Sequence, residues 1–493
     1  VALASPGIGI ADDPPPEPTP TAAVADAPAP RAPEPPPQPD HRAEGPVLAI
    51  GEAGTRVRFG ASAHTDARAY FGNSVAPSSF DIRRARFDLR GGHDDWLDIR
   101  IQAALEGSPY VRNAWAEIRP NHQVAIRVGQ MKVPFSTSWL TTDNEVNFVE
   151  RATSTPVTPF FDRGVMLWGR IADDRLTWQT GLFNGSGIDA DTGSSDIDDH
   201  KDVVLRFFGS PWRSGDRGLF AAVQAIRGQA SVATRRFETS GMRTPTYESL
   251  VWRWRTEQLL ASNSHASDRI TADVGRRDRL GAELHLVNGP LSTSLEWLEV
   301  TWSDITIFHE YLVGNTPLVR DPVMTRSGST ESVALWASLF LTGEHKRVDA
   351  FGWRQPDPIR PWTVGSGGSG AWELLLRVAR TRTSPELFDE VRVSGFTDAD
   401  LPEPGLPTVG AGASVRAAVL DGASTMWEVT AGLSWTLDHH ARLQLNLTSL
   451  WAVDQPTDGG GILSGGASDI GRRHQTTESE RETAATIRLI VRL

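Results

Sequence analysis

Of the 49 basic side chains in this sequence, 46 are arginine; lysine occurs only at Lys132, Lys201 and Lys346. A guanidinium keeps its charge at any relevant pH and offers oxyanions a planar fork of donors, the chemistry of an anion pathway. A GC-rich genome gives the same bias, so composition alone leaves both readings open. Acids concentrate in GIDADTGSSDIDDHK, where carboxylates at alternate positions suit hard cations, yet the spacing of a calcium hand is lacking. We read that stretch as a solvated loop and assign no metal and no cofactor. GxSxG, HExxH and GxxxxGK are all missing, and His439 and His440 sit in a tight turn, so no enzyme chemistry is expected. The net charge of −12 argues against a nucleic-acid partner.

The elements that must position the arginines are strands. From Thr55 to Phe71 apolar Val57, Phe59, Ala61, Ala63 and Ala67 alternate with Arg56, Arg58, Ser62, His64, Asp66 and Arg68. The next segment puts Arg84, Arg86, Asp88 and Arg90 opposite Ala85, Phe87 and Leu89. In the one after, Leu97, Ile99, Ile101, Ala103 and Leu105 oppose Asp98, Arg100, Gln102 and Glu106. One greasy and one charged face, repeated over consecutive hairpins, describe a wall between lipid and water. The same alternation recurs to the C-terminus and gives sixteen strands, an even number as a bacterial single-chain barrel needs. No run of eighteen apolar residues exists, so a spanning helix is not expected.

The links alternate between tight turns and long loops. Residues 133–162, rich in Thr, Ser, Pro and Asn and without helical period, are expected to fold into the lumen as a constriction. One link, 343–370, is long but falls on the short-turn side, and it too is expected to enter the lumen. Residues 1–45, carrying −5 of the charge and the run PAPRAPEPPPQP, read as a disordered Pro/Ala-rich tail before a barrel domain at 46–493. A cysteine-free chain that starts at Val fits a processed protein of the periplasm or outer membrane.

The words GQMKVPF, NFVER and DRGVMLWG, followed in order by RLGAEL, NGPLSTSLEW, LFLTGEHKR, GAWELLLRVAR, LSWTLDHHARLQLNL and AATIRLIVRL, resemble the phosphate-selective porin O/P family of Gram-negative outer membranes. The resemblance implies an all-β fold: a 16-stranded antiparallel transmembrane β-barrel with lumen-folded loops, assembled as a homotrimer among outer-membrane lipid and lipopolysaccharide. It implies passive passage of small anions, phosphate or polyphosphate foremost, through a basic constriction. Carried over by position, the family's basic pair resembles Arg83 and Arg84, the arginine ending its first strand resembles Arg68, and the lysine before its constriction loop resembles Lys132. Arg86, Arg127 and Arg163 are near enough in sequence to join them. The chain departs from the family in four ways: it has Arg86 and Phe87 where a tyrosine is usual, the acid of the third strand is either missing or supplied by Glu106, the family's long arginine ladder has only a short echo in Arg253 and Arg255 of VWRWRTE, and the chain ends on Leu493 rather than an aromatic residue. A general diffusion porin with paired arginines, or a structural barrel anchored through the Pro-rich tail, are the alternatives.

Overall fold

The computed structural model closes this alternating sequence into a single wall of sixteen strands. It describes residues 47–49, 54–71, 78–107, 109–121, 123–185, 187, 199–229, 252–254, 269–311, 319–365, 367–388, 391–394, 414–418, 420–422, 425–453 and 481–493. The expectations for the tail 1–45, the Asp-rich stretch 189–198 and the side chains of Arg253 and Arg255 fall outside the described residues. In chain order the wall strands are β1 Thr55–Phe71, β2 Ser79–His93, β3 Leu97–Ala104, β4 Tyr110–Asn121, β5 Val124–Lys132, β6 Phe161–Ile171, β7 Leu176–Phe183 and β8 Asp202–Ser214. The second half holds β9 Arg217–Gly228, β10 Arg269–Asn288, β11 Leu291–Tyr311, β12 Val319–Phe340, β13 Ala371–Thr383, β14 Thr425–Thr436, β15 Ala441–Val453 and β16 Arg481–Arg492. Neighbours are antiparallel, and β16 returns to β1 from Arg492↔Ser62 to Thr483↔Phe71, which closes the barrel. Closure pairs the backbone groups within the wall, the condition a sheet must meet to cross a bilayer.

Burial is inverted relative to a water-soluble fold. Ile101, Val223 and Leu376 are 44%, 56% and 53% exposed, while Arg84, Arg100 and Glu117 on the opposite faces are buried. Only lipid outside and a polar, occupied lumen reconcile both observations. Aromatic pairs mark the two edges of the greasy band. Near one end of β14 Trp427 stacks on Trp451, and near the other Trp435 stacks on Trp372. Eight residues of strand separate Trp427 from Trp435, roughly 26 Å before tilt.

Tight turns at 94–96, 172–175, 215–216, 289–290 and 437–440 gather at one end, the periplasmic end of such barrels. A short strand at the same end, Val47–Ala49, pairs with Arg58–Arg56 and covers the edge of β1 that β16 leaves beyond Ala61. Three residues are too few to show a period, so sequence reasoning starts the ordered chain at Thr55.

Two segments enter the lumen. Loop 133–160 crosses it: Thr137 N donates to Glu283 of β10 (2.9 Å), Thr153 N to Glu428 of β14 (3.0 Å) and Val149 N to Asn446 of β15 (3.1 Å). The loop carries the one short α-helix among the described residues, α1 Thr137–Leu140, capped by Ser136. From the other end, link 341–370 sends in a hairpin, Arg347–Asp349 with Gly352–Arg354, as its place on the short-turn side led us to expect. Trp353 N donates to Thr141 Oγ1 (2.9 Å) and Gln355 N to Glu145 Oε2 (2.5 Å), while Lys346 Nζ bridges Asn147 (2.8 Å) and Glu373 of β13 (2.7 Å). Where the segments meet, Phe148, Val348, Ala350 and Trp353 pack on Phe208, Phe220, Ala222, Val287, Trp336 and Leu375 of the wall. That side of the lumen is tightly packed, with buried Arg206 and His285 set against the apolar cluster.

Candidate functional site

On the other side, the wall of β1–β4 and β16 presents arginines to two carboxylates of loop 133–160. Glu150 meets Arg83 Nε (2.7 Å), Arg488 Nη2 (2.8 Å), Arg84 Nη2 (3.4 Å) and Arg68 Nη2 (3.9 Å). Asp143 meets Arg151 (2.9 Å), Arg112 (3.2 Å), Arg84 (3.5 Å) and Arg86 (3.7 Å). Two further acids contribute: Asp66 pairs with Arg68 (3.0 Å) and Arg488 (2.6 Å), and Glu106 pairs with Arg86. Among the described residues, seven guanidiniums thus share four carboxylates in one connected cluster.

Bulges make the cluster possible. Adjacent strand residues point to opposite faces, so Arg83 and Arg84 could not both face a lumen loop from a regular strand. The β1–β2 register slips between His64↔Arg84 and Thr65↔Ile82, which leaves Arg83 as the extra residue. Likewise, Gln102↔Asn113 followed by Ala103↔Val111 leaves Arg112 as an extra residue of β4. Arg112 then reaches Asp143 and covers the Phe161 ring at 4.7 Å.

Electrostatics follow from this crowding. Burial alone would raise the Asp143 carboxyl, but Arg112, Arg84, Arg151 and Arg86 hold it well below the usual carboxylate range. Glu150 is lowered against its burial in the same way by Arg83, Arg84 and Arg488. Both loop acids are therefore ionised at neutral pH, and both are outnumbered.

Of the residues expected from sequence, Arg68, Arg83, Arg84 and Arg86 come together here. Lys132 stands one step away. Its ammonium donates to the carbonyls of Trp139 (2.7 Å), Thr141 (2.8 Å) and Leu140 (3.3 Å), closing the C-terminal end of α1, and lies 4.7 Å over the Trp139 ring. Arg151 donates to the same Thr141 carbonyl, which links Lys132 to the cluster. Arg127 is not brought in: it pairs with Glu117 (2.7 Å) and covers Trp115 (4.0 Å) and Phe351 of the hairpin (5.9 Å). Arg163 is not brought in either. Alternation along β6 puts it on the side of Val165 and Leu167, away from lumen-facing Met166 and Trp168, and its Nε meets Gln130 Oε1 at 3.2 Å.

Sequence reasoning missed Asp143, Glu150, Arg112, Arg151 and Arg488. Arg488 was findable, since it lies on the polar face of TAATIRLIVRL. The loop acids carried no periodic signal.

The profile of the phosphate-selective porin O and P family matches residues 55–450. The chain belongs to this family. It is a porin of the bacterial outer membrane, a passive channel. Solved structures similar to this porin include in-vitro folded OmpT, an outer membrane protein of Vibrio cholerae, with TM-score 0.49, 10% identity, and coverage of 91% of this chain and 99% of that one. The outer membrane channel DcaP of Acinetobacter baumannii gives TM-score 0.47 at 10% identity over 90% and 99% of the two chains. OprB of Pseudomonas putida gives TM-score 0.47 at 8% identity over 89% and 94%. No curated protein sequence matches the porin.

Proposed function

We propose that this porin passes small anions, phosphate foremost, through a neck where loop 133–160 faces Arg68, Arg83, Arg84 and Arg86. The observation that carries this reading is the excess of guanidinium over carboxylate around Asp143 and Glu150. A partly dehydrated oxyanion needs several fixed donors in a low-dielectric neck, and partial occupation of those donors by loop acids keeps binding weak enough for release. Lys132 contributes by holding the loop and its charge. Arg127 sits nearer the periplasmic hairpin and would meet the anion on its way out, whereas Arg163 would meet lipid headgroups. We further propose the homotrimer and contact with lipopolysaccharide that the family resemblance implies.

A second reading has its own support, because each of Arg68, Arg83, Arg84 and Arg86 already has a carboxylate within 4 Å: a general diffusion pore without phosphate preference. Asp143→Asn keeps the shape of the side chain and removes one negative charge from the neck. If the cluster sets selectivity, the reversal potential in a salt gradient moves further toward that of the anion, and phosphate blocks chloride current more strongly. Arg112→Gln moves both the other way. Arg56→Gln, at the exposed periplasmic end of β1, is the control. Equal shifts in control and test variants would assign selectivity to the field of the whole lumen and sink the named site.

A further inference from the structure

The link between β12 and β13 does two things at once. Its first limb enters the lumen, while its return limb, from Ile359 to Gly370, leaves by the periplasmic rim and comes to lie on the outside of the wall. Trp372 shares the outer face of β13 with Leu374 and Leu376, and Trp435 shares that of β14 with Leu433. Both indole Nε1 atoms donate to one carbonyl of the limb, Ser369 O, at 3.1 and 3.0 Å. Trp362 packs on the Trp435 ring from the same side (centroids 5.5 Å), and its N donates to Leu437 O at 2.8 Å. The limb is a built element. Gly370 N donates to Arg360 O (2.9 Å), and a Cβ on Gly368 would fall 1.8 Å from Pro361 O, so the return is tight enough to need glycine there.

What this limb presents outward is apolar. Val364 is 92% exposed and Ile359 65%, with Trp362 beside them and exposed Arg360 at the base. A strand or loop that buries nothing outward has no reason to carry these residues in water. Here they continue the aromatic edge of the lipid-facing wall, at the end where the short turns lie. Tryptophan at headgroup depth, aliphatic tips beyond it and an arginine within reach of phosphate form the usual chemistry of an interfacial anchor.

We propose that residues 359–365 dock into the phospholipid interface of the periplasmic leaflet, so that the element plugging the lumen is held from outside by lipid. The proposal rests on the outer-membrane placement and is independent of anion selectivity. The chain has no cysteine, so Val364→Cys labelled with an environment-sensitive nitrobenzoxadiazole dye reports on one site. The control is Asp174→Cys, in the exposed periplasmic turn 172–175. Both are refolded into vesicles of phosphatidylethanolamine and phosphatidylglycerol and checked for a heat-modifiable barrel. Expected at position 364 are blue-shifted emission, several-fold stronger quenching by a shallow doxyl-phospholipid than by aqueous iodide, and the reverse order at 174. Iodide quenching at 364 equal to that at 174 would show a limb in water and overturn the proposal. Protection from both quenchers would overturn it too, by showing that a protein surface, such as a second copy of the chain, covers the limb. Should the 364 label prevent refolding, Thr363→Cys is read by the same outcomes.

Discussion

Arg83 and Arg84 reach one carboxylate because a bulge supplies the extra residue, so the arginine cluster depends on a local register slip as much as on charge. Asp143 and Glu150 are each shared among four arginines, and this fixes their pH response. Asp143 and Glu150 are held below their ordinary range, so their ion pairs contribute fully above about pH 5, and that contribution is lost as pH falls through the lowered folded values. Reversal potential and open-channel noise are expected to stay constant from neutral pH down to about pH 4 and to change only in stronger acid. A transition at about pH 6 in single-channel recordings would show that groups other than Asp143 and Glu150 set the response. On the wall the two faces of β3 differ by one residue step. Ile101 is exposed to lipid, whereas Gln102 faces the lumen and donates to Asp88 (3.2 Å). Ile101→Arg should cost on the order of 2 to 4 kcal/mol in urea refolding into vesicles, while Gln102→Arg, set beside that carboxylate, should be tolerated. Equal costs would remove the assignment of faces.

At the scale of the element, the hairpin 347–354 props the lumen loop from below. Gly352 adopts φ 125°, a conformation L side chains rarely take, and an added Cβ would lie 2.6 Å from Thr141 N. Gly352→Ala should therefore cost about 1 to 3 kcal/mol in strain and push the hairpin off the loop. The barrel should still form, because all sixteen wall strands are untouched, but single-channel traces should become noisier or show additional conductance levels. Unchanged traces would show that the loop stands without its prop. The entry of this link was legible as the one long connection on the short-turn side. Its grip on the loop was not, since the backbone amides of Trp353 and Gln355 and the Lys346 ammonium donate to side-chain oxygens of Thr141, Glu145 and Asn147, and no sequence pattern encodes which loop side chain a backbone amide will meet.

For the whole molecule, strand count and closure followed from the period of two, because a lipid face demands an apolar residue at nearly every second position along each strand. The lumen carries no such demand, so the division of its contents into a side packed around an apolar cluster and a side dominated by arginines was invisible before the strands were placed around a ring. Deleting residues 1–45 should leave heat-modifiable assembly and conductance unchanged, since that segment supplies no alternating strand to the wall. The division of the lumen makes a sharper prediction about where current flows. Ala222 of β9 faces the filled side, among Phe208, Phe220, Trp336 and Trp353, while Gln102 of β3 faces the ionic side beside Asp88 and Asn113. Since the chain has no cysteine, Ala222→Cys and Gln102→Cys can be probed one at a time with a negatively charged methanethiosulfonate in open channels. Water and ions reach a thiol only where side chains leave room, and a tightly packed apolar cluster excludes them. Modification at 102 should proceed readily and reduce anion current stepwise, whereas 222 should remain unmodified on the same timescale. Rapid reaction at 222 would show that ions pass through the apolar side, and the basic cluster would then lie beside the path instead of on it.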